Sequence, residues 1–268
     1  MNITNPFYER FKKIVSDPLN KEIEKCEGAG KILQISNSEC VNMYNDVKVL
    51  RNGYYGDFSE ILLLNNGVHE PSEEFVFQKV LSEIKKNSPI MYELGSYWCF
   101  YSMSFLKKFP LGLSLCVEDG KSEMQVGIQN MALNGMSAHF VNQRVSNGQG
   151  CWSIDNNAVH PHIDLLHSDI QGYELEMLLG AEHYLQNKLV DYIFVSTHSQ
   201  FLHHQCLQFL IAKNYHIIAE VDFHNTFCED GIIVAQNPNL VSKLSFVLPK
   251  ISQFDVISDT DFILKYAN

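Results

Sequence analysis

The feature that most constrains the fold is a regular alternation, from about residue 90 onward, between short apolar runs and stretches with helically spaced apolar side chains. Such apolar runs are typical of strands buried on both faces, and the stretches between them are typical of crossover helices. The sequence therefore predicts an α/β fold, with a mostly parallel sheet covered by helices on both faces. The seven predicted strands occupy residues 89–94, 111–117, 138–145, a run through 165–166 that ends at Asp169, 190–197, 215–221 and 231–235.

The length of the chain, 268 residues, suits one large domain with an appendage, since domains usually contain about 50 to 250 residues. The first 88 residues differ from the rest: a polar helical start is followed by a turn-rich stretch at 52–56 and by a helix that begins at Pro71. We therefore expect an N-terminal helical cap or lid at 1–88, an α/β core at 89–237, and a C-terminal tail at 238–268 in which no pattern is evident.

Composition excludes several functional classes. The 31 acidic and 20 basic residues give a formal net charge of −11, without the clusters of Lys and Arg that bind a phosphate backbone. Seven cysteines are scattered singly, which indicates free thiols in a reducing compartment. The chain has neither the apolar core of a signal peptide at its N-terminus nor an apolar run of about 18 residues. We expect a cytoplasmic protein with no nucleic-acid partner and no membrane span; a homodimer is compatible with the sequence, which does not fix the oligomeric state.

Polar residues end four of the predicted strands. In an open α/β sheet, ligands bind at the carboxyl ends of the strands, near the point where the strand order reverses. These ends read ELGS at 93–96, EDG at 118–120, HSD at 167–169 and STHS at 196–199. The sequence thus places a candidate binding site at this edge of the sheet.

The turn after the first of these strands contains one glycine, Gly95, followed by the bulky run 97–100. A dinucleotide pyrophosphate needs three small residues at such a turn, so the turn disfavours a nicotinamide-dependent oxidoreductase of similar topology, which remains an alternative. A ligand of similar outline without phosphates fits better, and S-adenosylmethionine is such a ligand. Glu93 can meet its ammonium group, and Glu118 can accept hydrogen bonds from its ribose hydroxyls.

Aromatic side chains near this turn can face the sulfonium through cation–π attraction. The candidates are Tyr97, Trp98, Tyr54 and Tyr55. Trp98 keeps the apolar phase of the following helix, which indicates core packing. Tyr97 is out of that phase and is the better candidate for contact with the ligand.

Between residues 53 and 236 the sequence resembles the FkbM family of methyltransferases. The resemblance depends on a series of segments in order: GVHEP at 67–71, MYELGSYW at 91–98 with Tyr101 and Ser102, VE at 117–118 with Asn130 and Asn134, IDLLHSDIQGYE at 163–174, STHS at 196–199 and EDGIIV at 229–234. Cys99 and Phe100 stand where many members have a glycine.

The resemblance implies a class I, Rossmann-like methyltransferase fold, S-adenosylmethionine as donor and S-adenosylhomocysteine as product. It also implies O-methylation of a sugar, a polysaccharide precursor or a secondary metabolite. The residues expected to bind the cofactor are Glu93, Gly95, Ser96, Tyr97, Glu118, Asp119, Gln143, Arg144 and Asp169. Gln143 and Arg144 are placed at the adenine edge and Asp169 beside the transferred methyl group. Tyr54, Tyr55 and His167 are expected to contact the small-molecule or glycan acceptor.

For catalysis, we predict that His198 acts as general base beside Asp169, because an imidazole with its ordinary pKa near 6.5 is available to take a proton. No metal-binding spacing such as H-E-x-x-H appears in the sequence, so no metal site is predicted, and a divalent ion bridging Asp169 and the acceptor is left open. N-methylation of a small molecule and non-catalytic binding of S-adenosylmethionine remain as alternatives.

Overall fold

The structure is a computed structural model that describes residues 5–266. The strands are β1 (Ile32–Ile35), β2 (Ser38–Asn42), β3 (Lys48–Leu50), β4 (Ile90–Leu94), β5 (Leu113–Glu118), β6 (His139–Asn142), β7 (Ile163–Ser168), β8 (Val190–Thr197), β9 (His216–Val221) and β10 (Gly231–Gln236). The helices are α1 (Tyr8–Val15), α2 (Glu60–Leu64), α3 (Pro71–Glu83), α4 (Phe100–Lys108), α5 (Lys121–Leu133), α6 (Ile154–Asn157), α7 (Glu174–Leu179), α8 (Glu182–Gln186), α9 (Gln200–Ala212) and α10 (Asp259–Tyr266).

Seven strands form one sheet in the order β6-β5-β4-β7-β8-β10-β9. Neighbours from β6 through β8 pair in parallel, whereas β10 is antiparallel to both β8 and β9. The prediction of a seven-stranded, mostly parallel sheet is confirmed. The strand order reverses between β4 and β7, which is where an open α/β sheet leaves a crevice for a ligand.

Alternate side chains of the central strands enter separate apolar clusters on the two faces of the sheet. On β8, Tyr192 and Phe194 join one cluster, while Ile193 and Val195 join the other. Helices α3 and α4 contribute to the first cluster, and α7, α8 and α9 contribute to the second. Because side chains alternate along a strand, a sheet with helices on both faces must be apolar on both. This agrees with the predicted continuous apolar runs.

The N-terminal region contains α3 as predicted, but it is not only helical. Strands β1, β2 and β3 form a small antiparallel sheet, which the sequence pattern does not predict because each strand has only three to five residues. The outer edge of β3 is satisfied by side chains rather than by another strand. The N–H groups of Lys48 and Leu50 donate to the side-chain oxygens of Asn134 and Asn130 on α5, at 2.9 and 2.8 Å.

The C-terminal segment, for which no pattern was evident, returns to the start of the chain. The ring of Phe262 in α10 packs edge-on against Tyr8 of α1, with centroids 5.2 Å apart. Asp259 also accepts a charge-assisted hydrogen bond from Lys12. Within residues 5–266, no helix combines the length and apolar character needed to cross a membrane.

Candidate active site

A cavity of about 490 Å³ opens at the carboxyl edge of the sheet, beside the reversal between β4 and β7. All of the predicted cofactor and acceptor residues line it: Tyr54, Tyr55, Glu93, Gly95, Ser96, Tyr97, Glu118, Asp119, Gln143, Arg144, His167 and Asp169. His198 is not among its lining residues. The structure thus brings together side chains from the N-terminal region and from three neighbouring strands.

The turn from β4 into α4 is tight. Gly95 has a φ of 74°, and its N–H and that of Ser96 both donate to the Val117 carbonyl of β5, at 2.8 and 3.1 Å. Tyr97 and Cys99 also have positive φ values, of 36° and 60°. Glycine adopts this conformation at the lowest cost, so Tyr97 and Cys99 hold backbone conformations that a glycine would favour.

Gly127 on α5 makes room for Cys99. A β-carbon at position 127 would lie 2.5 Å from both the Sγ atom of Cys99 and the carbonyl oxygen of Tyr97. The absent side chain therefore lets α5 pack directly against the turn. The cysteine is accommodated by a glycine on the neighbouring helix.

Glu118 is half-buried at the end of β5, and backbone donors fix its carboxylate. One oxygen accepts the N–H of Tyr97 at 3.0 Å, and the other accepts the N–H of Gly120 at 2.8 Å. Burial raises the pKa of Glu118 above its ordinary value, although the two N–H groups oppose that shift. Each carboxylate oxygen has two lone pairs, so one on each oxygen remains for ligand hydroxyls at the cavity wall.

Glu93 lies deeper, at the end of β4, and is 3% exposed. One of its oxygens accepts the N–H of Ser102 at 2.9 Å, and burial raises its pKa. In the register of β4 and β5, Glu93 is opposite Cys116, two residues before Glu118. The two carboxylates therefore lie on adjacent strands at the same edge of the sheet. The residues present fit an adenosyl ligand with an ammonium group, since acceptors for both ends are fixed beside one cavity.

Aromatic rings form another wall. Tyr54 stacks on Trp98 with centroids 4.3 Å apart, and Tyr55 meets Tyr97 edge-on at 4.9 Å. The Tyr97 hydroxyl oxygen accepts the N–H of Tyr55 at 3.0 Å. As expected, Trp98 belongs to the apolar core, whereas Tyr97 is only half-buried. These contacts hold the Tyr54–Tyr55 segment of the N-terminal region over the turn.

The outer rim is polar and exposed. Arg144 pairs with Asp119 at 2.8 Å, with both side chains more than half exposed, and the amide of Gln143 donates to the Gly150 carbonyl at 2.8 Å. Both residues lie beside the cavity, as predicted. Their contact with an adenine ring stays a prediction.

His167 lies at the base of the cavity and is 2% exposed. Its Nε2 atom is 2.9 Å from a carboxylate oxygen of Glu73 on α3, and its ring stacks on Tyr101 with centroids 4.0 Å apart. Burial opposes a charge on the ring, but Glu73 outweighs it and raises the pKa of His167. Glu73 and Tyr101 thus occupy the Nε2 atom and one face of the ring. Contact of His167 with an acceptor stays a prediction.

His198 does not have the surroundings of a free base. Its Nδ1 atom is 2.8 Å from Glu174, and its Nε2 atom is 3.2 Å from Asp169 and 3.4 Å from Asp230. Burial opposes the charge, but these carboxylates outweigh it and raise the pKa of His198 to about 11. The role of His198 as general base stays a prediction, and Asp169 is the member of this pair that lines the cavity.

Two carboxylates around His198 were given no role in the sequence prediction. Glu174 is fully buried at the start of α7, and Asp230 immediately precedes β10. Burial and the neighbouring Asp169 raise the pKa of Asp230 to about 8. Both residues belong to segments that resemble the FkbM family, at 163–174 and 229–234. That resemblance was the one sequence feature that could have pointed to them as site residues. Their spatial relation to His198 could not be read from the sequence.

A second buried ionic group consists of His69, Glu70 and Glu74, of which the first two fall in the segment 67–71 that resembles the FkbM family. His69 is 2% exposed and lies 2.5 Å from Glu74 and 3.4 Å from Glu70. Burial opposes its charge, yet the two carboxylates raise the pKa of His69 to about 10. His69 and Glu70 line the cavity, so this ionic group of one imidazole and two carboxylates lies beside it.

Comparison with known proteins finds one family of domains that part of the chain matches. The Methyltransferase FkbM domain family matches residues 129–217, less than half of the chain. Over these residues the predicted resemblance to the FkbM family is confirmed. The predicted activity and donor are confirmed: it is an S-adenosylmethionine-dependent methyltransferase. The matched residues include Asp169, Glu174 and His198, whereas Glu93 and Glu118 lie outside them.

One solved structure agrees in fold over most of the chain, and another is similar over a smaller part. The METTL16 MTase domain aligns with 88% of this chain and 96% of its own, at 14% identity and a TM-score of 0.50. TrmK of M. capricolum, solved with S-adenosylhomocysteine, aligns with 70% of this chain and 73% of its own, at 12% identity and a TM-score of 0.44. At 14% identity the first similarity shows a shared class I methyltransferase fold and nothing more specific. No curated protein sequence matches the chain significantly.

Proposed function

We propose that this FkbM-domain protein transfers a methyl group to a hydroxyl oxygen of a sugar, a polysaccharide precursor or a secondary metabolite. The observation that carries the proposal is one shared cavity. It joins two strand-end carboxylates suited to the donor, Glu93 and Glu118, to a third carboxylate, Asp169, and to Tyr54 and Tyr55. An acceptor with hydroxyls and an apolar face suits Asp169 and the two tyrosines.

The part of the cavity that would bind the methyl donor is lined by the carboxylates of Glu93 on β4 and Glu118 on β5. Glu118 would hold the ribose hydroxyls with its free lone pairs, because its backbone contacts leave acceptor capacity on both oxygens. Glu93 would face the ammonium group, directly or through water. S-adenosylmethionine supplies an electrophilic methyl group on a sulfonium sulfur. Tyr97 offers an aromatic face for that positive charge, a contact worth about 0.5 to 2 kcal/mol.

The acceptor half depends on Asp169. Its carboxylate is about one third exposed and lines the cavity. Gln171 donates to one of its oxygens at 3.0 Å, and Nε2 of His198 lies 3.2 Å from the same oxygen. Asp169 can therefore accept the hydrogen bond, and then the proton, of an acceptor hydroxyl. A base within hydrogen-bond reach typically contributes about 10² to 10⁴-fold to a rate. In this assignment His198 is a positioning residue, and Asp169 is the catalytic one.

The aromatic wall supports a glycan-like acceptor. A sugar ring presents C–H groups on its face and hydroxyls at its rim, and aromatic rings paired with carboxylates satisfy both. Tyr55 is exposed at the mouth of the cavity, whereas Tyr54 is buried behind it. Tyr55 is thus the ring that an acceptor would meet first.

The test supplies labelled S-adenosylmethionine with panels of sugars, nucleotide sugars and amines. Label in a hydroxyl acceptor, as a base-stable ether, is the expected result. Label confined to amines would instead indicate N-methylation. Binding of S-adenosylhomocysteine with no labelled product from any acceptor would indicate non-catalytic binding, and either result contradicts the proposal.

Asp169→Asn tests the assigned role. We expect turnover to fall about 10²-fold or more, while calorimetry finds the affinity for S-adenosylhomocysteine nearly unchanged. Asp222→Asn is the matched control, because Asp222 also follows a strand end but does not line the cavity. Full turnover in Asp169→Asn would remove this carboxylate from the mechanism.

A further inference from the structure

Three side chains, of which Asp169 lines the cavity, direct potential metal ligands toward one another. They are Asp169 after β7, His198 after β8 and Asp230 before β10, hereafter the Asp–His–Asp cluster. One ligand atom of each lies within 4.8 Å of the other two. The antiparallel pairing of β8 and β10, in which Thr197 is opposite Gly231, brings the last two together.

The Nε2 atom of His198 is buried and has no hydrogen-bond partner among the described residues. Yet carboxylate oxygens of Asp169 and Asp230 lie 3.2 and 3.4 Å from it. Both oxygens are close to the nitrogen, but neither is in hydrogen-bonding geometry with it. A buried polar atom without a hydrogen bond is rare in native proteins and calls for an explanation such as an ion.

The two separations agree with a coordination sphere. Ligand atoms about 2.0 to 2.1 Å from an octahedral ion, at right angles to one another, lie about 3 Å apart. The distances from Nε2 to the two carboxylate oxygens are slightly longer than this value. Small side-chain movements would therefore suffice to close the three atoms around one ion.

The outer contacts of the cluster also suit a metal. The other ring nitrogen of His198, Nδ1, is 2.8 Å from Glu174, and the same Glu174 oxygen accepts the N–H of Gly172 at 3.0 Å. Histidine ligands almost always donate their second ring N–H to such a partner, which fixes the ring and the tautomer. Glu174 thus already holds His198 in the orientation that leaves Nε2 toward the two aspartates.

The charge balance points the same way. Within residues 5–266, the only basic side chain within 4 Å of the Asp230 carboxylate is His198, which also faces Asp169 and Glu174. Three carboxylates thus surround a single imidazole. A divalent cation would displace the proton from Nε2 of His198, bind the lone pair that this leaves, and supply the missing positive charge.

We propose that the Asp–His–Asp cluster binds one divalent cation. Two carboxylates and one imidazole form a mixed oxygen and nitrogen set, which suits Mn²⁺ or Mg²⁺ better than a metal that prefers thiolates. Because Asp169 also lines the cavity, the ion would lie beside the acceptor and could orient its hydroxyl. That last step rests on the proposed O-methylation, whereas binding of the ion does not.

A second cluster offers a matched control. His162, Asp164 and Asp191 also lie within ligand distance of one another, but they belong to the amino ends of β7 and β8, away from the cavity. There Asp164 is already paired with Lys86 and accepts the N–H of Ile90 at 2.8 Å. We therefore expect no ion at this second cluster.

The experiment titrates chelator-treated, full-length protein with MnCl₂, using calorimetry and the electron paramagnetic resonance signal of free Mn²⁺. We expect one site, with affinity at least about 100-fold weaker in His198→Gln and Asp230→Asn, since even outer-shell changes typically cost 10 to 100-fold. His162→Gln should bind Mn²⁺ as the unaltered protein does. Glu174→Gln should weaken binding about 10 to 100-fold.

Each variant is also titrated with S-adenosylhomocysteine and melted, so that loss of Mn²⁺ binding can be separated from loss of folding. If one variant of the cluster fails to fold, Asp169→Asn replaces it. Absence of Mn²⁺ binding in the folded protein, or loss of binding in His162→Gln alone, overturns the proposal. Neither result affects the proposed O-methylation, which the labelling experiment tests separately.

Discussion

Gly95 lies directly against the backbone carbonyl oxygen of Asp169, so that any β-carbon at position 95 would overlap it. The N–H of Asp169 also donates to the carbonyl of Leu94 at 3.0 Å. These contacts join the ends of β4 and β7 at the point where the strand order reverses. They fix the floor of the cavity, and they make Gly95 a steric requirement rather than a mere turn residue.

Gly95→Ala should therefore damage both stability and donor binding. A positive φ alone costs an alanine about 1 to 2 kcal/mol, and displacement of the Asp169 backbone adds about 1 to 3 kcal/mol. Gly135→Ala is the control, since Gly135 has a φ of 64° but no neighbour within 4 Å. Urea unfolding and calorimetry with S-adenosylhomocysteine measure the two effects. Equal losses in the two variants would show that crowding by Asp169 is unimportant.

Glu118→Gln should weaken binding of S-adenosylhomocysteine. A hydrogen bond to a charged group contributes about 1.5 to 3 kcal/mol, so calorimetry should find the affinity about 10 to 100-fold lower. Asp119→Asn, at the exposed neighbouring position, should change it much less because its ion pair with Arg144 is solvated. If Asp119→Asn has the larger effect, the assignment of the ribose contact to Glu118 is wrong.

His69 should make stability depend on pH in the alkaline range. Its folded-state pKa of about 10 lies above its ordinary value of 6.5. The stabilisation is therefore complete below about pH 6.5 and is lost as the pH rises through about 10. At pH 6, His69→Gln should lower the free energy of unfolding by about 3 to 5 kcal/mol, as is typical when one partner of a buried ion pair is removed.

The gap in unfolding free energy between His69→Gln and the unaltered protein should narrow steadily from pH 6.5 to 10 in urea titrations. His204→Gln serves as a control because His204 is exposed on α9. A gap that stays constant over this range would mean that His69 is not held in its charged form by Glu70 and Glu74.

The large sheet was predictable because its signals are local. A buried parallel strand is an uninterrupted apolar run, and a crossover helix shows its own spacing. The rule that ligands bind at the carboxyl ends of strands then placed Glu93, Glu118 and Asp169 together. By contrast, strands β1 to β3 are too short to give such a signal, and β3 is completed by Asn130 and Asn134, about 80 residues along the chain.

By itself, the sequence determined the α/β core, the resemblance to the FkbM family and the residues that line the cavity, since strand and helix periodicity and motif order are properties of neighbouring positions. Only the tertiary structure decided the partners of His198 and the direction in which they shift its pKa. Its environment comes from Glu174 and Asp230, which lie 24 and 32 positions away in the chain. The pKa of a buried group depends on charges brought near it by folding, and no local pattern contains that information.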